Sequence, residues 1–178
     1  MGYAIVGYFD EVTDKKISGL WEQLAIEGID DYLINSANNP HIKFMMYEDI
    51  EKDKLIESIS EIAKSRKTID VIFKSYSFYP NERPFFNIDM AVSEELLALK
   101  ETIRESCDKL SHEFQIDFFD KGIWKPDCQL TREIDISRMF DAVGCLYKNK
   151  LPLVGKIEKI GLIEFHPAKQ IIHFNLSQ

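Results

Sequence analysis

His41 and Lys43 stand two residues apart in the stretch Asn38-Asn39-Pro40-His41-Ile42-Lys43-Phe44-Met45-Met46-Tyr47, which opens on turn formers and runs into apolar residues. Proline pushes the residue before it toward extended geometry, so the stretch reads as a loop leading into a strand. Side chains alternate on a strand, which puts His41 and Lys43 on one face and Ile42 and Phe44 on the other. An imidazole beside an ammonium is a seat for an anion. The plainer reading is a surface strand with two polar residues, and this stretch alone does not choose between them.

A second stretch repeats the pattern with different side chains. Pro40-His41-Ile42-Lys43-Phe44 leads to a helical pattern, a strand and Ser77-Phe78-Tyr79-Pro80. Pro126-Asp127-Cys128-Gln129-Leu130 leads to a helical pattern, a strand and Glu164-Phe165-His166-Pro167. His41 lies 39 positions before Pro80, and Asp127 lies 40 before Pro167. Ile50 and Ile136 each follow their motif residue by nine positions. The same order at nearly the same spacing indicates an internal duplication. Two similar lobes about a pseudo-two-fold would set His41 and Lys43 opposite Asp127 and Gln129 across one cleft. Polar groups converging from two strands are how small-molecule sites are built.

These residues need a scaffold, and the periodicity describes one. Tyr3 to Phe9 reads as an opening strand. Ile17, Leu20, Trp21 and Leu24 follow helical spacing, with Gly28 as a stop. Asp30 to Asn39 reads as a polar connector. Leu55, Ile56, Ile59, Ile62 and Ala63 mark a second helix starting near Asp49 to Glu51. Ile69 to Tyr79 is β-branched and aromatic, Pro80 to Pro84 is a turn, and Phe86, Ile88, Met90 and Val92 alternate as a hairpin partner. Ser93 caps a long helix whose stripe runs Leu96, Leu99, Ile103, Cys107, Leu110 and Phe114. Trp124 to Thr131 enters a strand, and Ile136, Met139, Phe140, Val143 and Tyr147 mark a fourth helix. Ile157 to Phe165 and Ile171 to Leu176 are two final strands around a Pro167-Ala168-Lys169 turn. Several strand pairs are joined by turns too short for a parallel crossover, so the sheets are mainly antiparallel and the class is α+β. The expected architecture is one domain, residues 1–178, of two intertwined pseudo-symmetric lobes. Motif strands near 41–47 and 127–132 flank a central cleft, and the helices lie outside.

The stretches Pro40-His41-Ile42-Lys43-Phe44 and Trp124-Lys125-Pro126-Asp127-Cys128-Gln129-Leu130 resemble the motifs of the two-histidine (2H) phosphoesterase superfamily. That group contains the 2′-5′ RNA ligase-like proteins and the cyclic nucleotide phosphodiesterases. It carries two His-x-Thr/Ser motifs, each following a Pro, at the centres of two pseudo-symmetric lobes, and the second often sits in a Trp-x-Pro-His-Cys-Thr-Leu setting. The order of elements resembles the family over nearly the whole chain. The resemblance implies a phosphoesterase acting on a 2′,3′-cyclic phosphate or a 2′-5′ phosphodiester of a nucleotide or RNA end. One motif residue would be general base and the other general acid, because one proton must leave the nucleophile while another reaches the leaving oxygen.

Three of the four motif positions depart from the family. His41 is kept, Lys43 stands where Thr or Ser is expected, Asp127 replaces the second histidine and Gln129 the second hydroxyl. Lys43 and Gln129 can still donate to phosphate oxygens. A carboxylate with an ordinary pKa of about 4 is a poor acid at neutral pH, so Asp127 would serve as a weak base toward water with His41 as the acid. A register two residues on would bring Thr131 onto the motif and restore a hydroxyl, but the repeat spacing and Cys128 favour the first register. Two other functions fit the eroded motifs: a nucleotide- or phosphate-binding module without turnover, and a protein-interaction module. His166 occupies the position matching Tyr79, and both are candidates for the cleft rim. His173 alternates with Ile172, Phe174 and Leu176 and is expected to be exposed, as is His112. Trp21 and Trp124 are expected to pack the lobes.

Composition narrows the class. The 178 residues are 45% hydrophobic, enough for a folded core, and the net charge of −8 argues against a protein that coats nucleic acid through bulk electrostatics. A small, locally positive pocket remains compatible with that charge. Cys107, Cys128 and Cys145 are odd in number and lack metal-ligand spacing, which reads as reduced thiols in a cytoplasmic protein with no metal site and no cofactor. No apolar run is long enough to cross a bilayer, and the opening residues read as a strand and not as a signal segment.

Overall fold

Among the residues that the computed structural model describes (2–48, 50–80, 82–111, 122–165 and 168–177), seven strands alternate with five helices. They are β1 (Gly2–Phe9), α1 (Glu11–Ile26), α2 (Tyr32–Asn35), β2 (His41–Tyr47), α3 (Lys52–Ser65), β3 (Ile69–Tyr79), β4 (Phe85–Met90), α4 (Glu94–Cys107), β5 (Asp127–Gln129), α5 (Met139–Tyr147), β6 (Leu153–Phe165) and β7 (Lys169–Asn175). The order β-α-β-α-β occurs twice, as β1-α1-β2-α3-β3 and β4-α4-β5-α5-β6. The single turn α2 and the hairpin return β7 are additions.

All pairings among these strands are antiparallel. They run β1-β2-β5-β4-β3-β6 and return from β6 to β1, while β7 lies on the other edge of β6. The two repeats are therefore exchanged at their ends. β3 of the first pairs with β4 of the second, and β6 of the second pairs with β1 of the first. This is the α+β, duplicated, antiparallel architecture that the spacing predicts.

One face of the strands carries the main core. Ile5, Ile42, Phe44, Phe73, Ile88 and Ile157 are fully buried there against Ile17 and Leu24 of α1, Leu55 and Ile59 of α3, and Leu96 and Leu99 of α4. Each such side chain contributes about 1.5–3 kcal/mol of burial. The helices start where the sequence places caps. Asp10 Oδ1 accepts from the Val12 and Thr13 amides at 3.0 and 2.9 Å, and Ser93 Oγ accepts from the Leu96 amide at 3.2 Å. α1 runs out before Gly28, which takes the left-handed conformation (φ +63°) that glycine adopts without strain. On the opposite face, Ala4, Val6, Tyr8 and Ile163 form a second, smaller buried cluster with Met46, Phe165 and Ala168 packed on it. β1 is thus covered on both faces, which is why its residues do not alternate.

Three elements differ from expectation. The connector from Asp30 to Asn39 contains the turn of helix α2. α4 ends at Cys107 and passes into a 3₁₀ turn over Asp108–Leu110, so Leu110 packs on the core from that turn and not from the helix; Phe114 and His112 lie outside the described residues. α5 turns Phe140, Val143 and Tyr147 of its expected apolar stripe outward, with Ile136 before it, and packs through Met139, Ala142, Cys145 and Leu146. Periodicity marks an apolar side of a helix, but only tertiary packing decides which side is covered.

Candidate functional site

β2 and β5 meet at one pair of residues, Ile42 opposite Cys128, and both side chains are buried in the core. Alternation then puts His41, Lys43, Asp127 and Gln129 together on the other face of the sheet. The neighbouring strands extend the row. Tyr8 and Val6 of β1 lie beside His41 and Lys43, while Asn87 and Asp89 of β4 lie beside Gln129 and Asp127. The two motifs meet on adjacent strands, side by side, and not from facing walls. The tryptophans brace this junction. The Trp124 indole donates to the Lys43 carbonyl at 3.0 Å and stacks on Phe44, and the Trp21 indole donates to the Gln129 carbonyl at 2.9 Å.

His41 is half-buried, and its Nδ1 lies 2.7 Å from the Asn39 carbonyl oxygen. A carbonyl only accepts, so Nδ1 carries the hydrogen and Nε2 keeps the lone pair. Burial, reinforced by the Lys43 ammonium, pushes the imidazole pKa down to about 4 against the opposing Asn39 contact. His41 is therefore neutral at pH 7.

Asp127 moves the other way. Burial raises its pKa despite hydrogen bonds from Asn87 Nδ2 at 2.8 Å and Tyr79 Oη at 3.1 Å and the nearby Lys125 cation. Both hydrogen bonds land on Oδ2. Lys125 Nζ pairs with Asp89 at 2.9 Å, donates to Ser77 Oγ at 2.9 Å and lies over the Tyr79 ring. Tyr79 is thus in direct contact with the motif carboxylate, closer in than a rim position, and stacks on Phe85.

A cavity of about 460 Å³ opens beside β2. His41, Lys43 and Gln129 line it, and Asp127 does not. Its apolar wall includes Ala4, Met46, Ile163 and Phe165, and its polar side adds Asn38 and Arg132. Among the described residues no carboxylate contributes to the lining, so a chain of net charge −8 holds a pocket whose described lining has two cations and no acid. The Arg132 guanidinium lies over the Tyr32 ring at 4.4 Å. Asn38 Oδ1 is buried without a partner among the described residues. Asn38 and Arg132 were not singled out by sequence; the one signal for Arg132 is a basic residue just past the second motif strand.

Thr131 is a correction. It is fully buried, and its hydroxyl accepts the Phe86 amide at 2.8 Å, so it ties β4 to the segment after β5 and does not face the cavity. β5 ends at Gln129, and the alternation that would aim Thr131 at the cleft ends with it. His166 lies outside the described residues. His173 is exposed as expected, but on the cleft side. The Tyr8 ring stands edge-on to both His41 and His173, at 6.1 and 6.2 Å between centroids. It lies over Gly161, where a Cβ would come within 2.6 Å of it. Among the described residues no cluster of His, Cys, Asp and Glu has the makings of a metal site, and no helix is long and apolar enough to cross a membrane.

No family model matches the chain, and no curated protein matches it in sequence. Solved structures do match in fold. TT0787 of Thermus thermophilus superposes with a TM-score of 0.67 at 16% identity, covering 99% of this chain and 98% of that one. E. coli LigT complexed with 3′-AMP gives 0.62 at 12% identity, covering 99% and 98%. Usb1 of Kluyveromyces marxianus gives 0.52 at 10% identity, covering 98% and 97%. Other structures of E. coli LigT hold ATP, NADP+ and phosphate. The chain shares its fold with these structures over essentially its full length.

Proposed function

We propose that this chain, built on the 2H phosphoesterase fold, is a 2′-5′ RNA ligase-like phosphoesterase that hydrolyses a 2′,3′-cyclic phosphate or a 2′-5′ phosphodiester of a nucleotide or RNA end. The observation that carries the reading is the cationic cavity, whose described lining holds Lys43 and Arg132 but no carboxylate and includes His41. Fold neighbours that hold 3′-AMP, ATP and phosphate support a ligand of this class.

In this reading the phosphate binds between Lys43 and Gln129, whose N–H groups donate to its oxygens. Arg132 and Asn38 hold the polar edge of the nucleoside, and the wall of Ala4, Met46, Ile163 and Phe165 takes its apolar face. His41 Nε2 accepts a proton from water as the water oxygen bonds to phosphorus. The bond from phosphorus to the 2′-oxygen breaks, and Asp127 supplies the proton that oxygen needs. The Asn39 carbonyl holds the hydrogen on Nδ1 and leaves Nε2 as an acceptor, which suits His41 to the base and leaves the second proton transfer to Asp127. This reverses the roles that ordinary pKa values suggest. Hydrolysis of 2′,3′-cyclic nucleotides by the wild type, compared with His41→Ala and Asp127→Asn, tests it.

The replacement of the second imidazole by Asp127 favours a second reading, in which the cavity binds a nucleotide or phosphate without turnover. Calorimetric heat with 3′-AMP, weakened by Lys43→Ala and unaccompanied by product, would select that reading.

A further inference from the structure

α5 covers the core with its narrow side and leaves its wide apolar side in water. Ile136, in the turn leading into it, is 75% exposed, Phe140 90%, Val143 50% and Tyr147 87%. Their spacing of four, three and four residues puts them on one helical face. Ile26, at the end of α1, is also exposed. Single exposed apolar residues are ordinary; a contiguous patch of this extent marks an interaction surface.

Gly144 is an independent observation. It sits inside α5 at the edge of the same stripe, it is exposed, and a Cβ added to it would meet nothing within 4 Å. Glycine inside a helix costs stability relative to alanine, and nothing in its own chain needs the missing side chain. A bare backbone at that point admits close approach by another helix.

We infer that α5 is the contact of a two-fold dimer, with the α5 helices of two copies packed antiparallel and crossing at Gly144. The stripe is balanced about that residue, since Phe140 precedes it by four and Tyr147 follows it by three. An antiparallel crossing lays Phe140 of one copy beside the partner's Tyr147. It also brings Asp141, paired in its own chain with Arg138, against the partner's Lys148, itself paired with Glu27, because these exposed charges stand three before and four after the glycine. Such a dimer is isologous, the commonest closed assembly. Ile136, Phe140, Val143 and Tyr147 together expose roughly 600 Å², a large share of the ~800 Å² that each partner buries in a standard interface. A bilayer fits less well: helices that lie on membranes carry mainly Lys and Arg beside the apolar face, whereas this rim mixes Glu27 and Asp141 evenly with Arg138 and Lys148. α5 contributes no residue to the cleft cavity, so the dimer stands or falls separately from the phosphate chemistry.

Sedimentation velocity of the full chain from micromolar to hundred-micromolar concentration tests this, with Phe140→Glu and Gly144→Ala alongside. The wild type is expected to approach twice the 20.7 kDa mass of one chain. Phe140→Glu should weaken association at least about tenfold with an unchanged thermal midpoint, because the side chain it replaces is exposed. Gly144→Ala should raise the midpoint of the dilute monomer yet weaken the dimer, opposite signs that a purely intrachain role does not produce. A wild type that stays monomeric throughout overturns the inference, whether or not it co-sediments with phosphatidylserine vesicles. So does a dimer that Phe140→Glu leaves intact, or one that Gly144→Ala tightens.

Discussion

The indole N–H of Trp124 donates to the carbonyl oxygen of Lys43 at 3.0 Å, tying the segment before β5 to the middle of β2. β2 and β5 share a single residue pair, so this bond carries much of the alignment between the two motifs. Trp124→Phe keeps a ring against Phe44 and loses the donor. Urea denaturation should show a loss of about 0.5–1.5 kcal/mol, and nucleotide affinity should fall with it as Lys43 loses its fixed position.

Thr131 separates a structural hydroxyl from a phosphate-binding one. Thr131→Val preserves shape and leaves the buried Phe86 amide without its acceptor. The expected cost is about 1–3 kcal/mol of stability. Turnover per folded molecule should not change; a rate loss with unchanged stability would return Thr131 to the phosphate site.

Much of this arrangement was legible in the chain because strands declare their faces. Alternation through Pro40-His41-Ile42-Lys43-Phe44 put His41 and Lys43 on one side, and the structure keeps them there. The repeated spacing around His41 and Asp127 reported the duplicated order of elements. What escaped the reading depends on contacts distant in sequence. The side of α5 that is covered, the inward turn of Thr131 and the place of Arg132 over Tyr32 are set by neighbours dozens of residues away. The pKa shifts escaped for the same reason: Asp127 has an ordinary carboxyl until burial in the folded chain raises its pKa against the hydrogen bonds from Asn87 and Tyr79.

Lys43 is the cation nearest His41 in sequence and lines the same cavity. Lys43→Gln keeps a donor and removes the charge. A charge-assisted hydrogen bond is worth about 1.5–3 kcal/mol, so affinity for 3′-AMP by calorimetry should fall roughly 10- to 100-fold. An unchanged affinity would move the phosphate away from β2.

The two motif residues make opposite contributions to stability against pH. His41 has a pKa of about 4 when folded and an ordinary value of 6.5 when unfolded, so between those values the unfolded chain binds the extra proton. Its contribution is full above pH 6.5 and is lost as pH falls toward 4. Asp127 has a raised pKa when folded, so its contribution is full below the ordinary carboxyl value and declines as pH rises through the folded one. His41→Gln should therefore flatten the rise of the thermal midpoint between pH 4 and 6.5, whereas Asp127→Asn should steepen it.

The most direct test follows a 2′,3′-cyclic nucleotide by phosphorus NMR in the presence of the wild type, His41→Ala and Asp127→Asn. The wild type should convert the cyclic phosphate to a monoester. Each variant should slow that conversion by about 10²- to 10⁴-fold, the usual worth of one proton-transfer group, while still shifting the phosphorus resonance on binding. No conversion by the wild type, or equal rates in all three proteins, would contradict catalysis by His41 and Asp127.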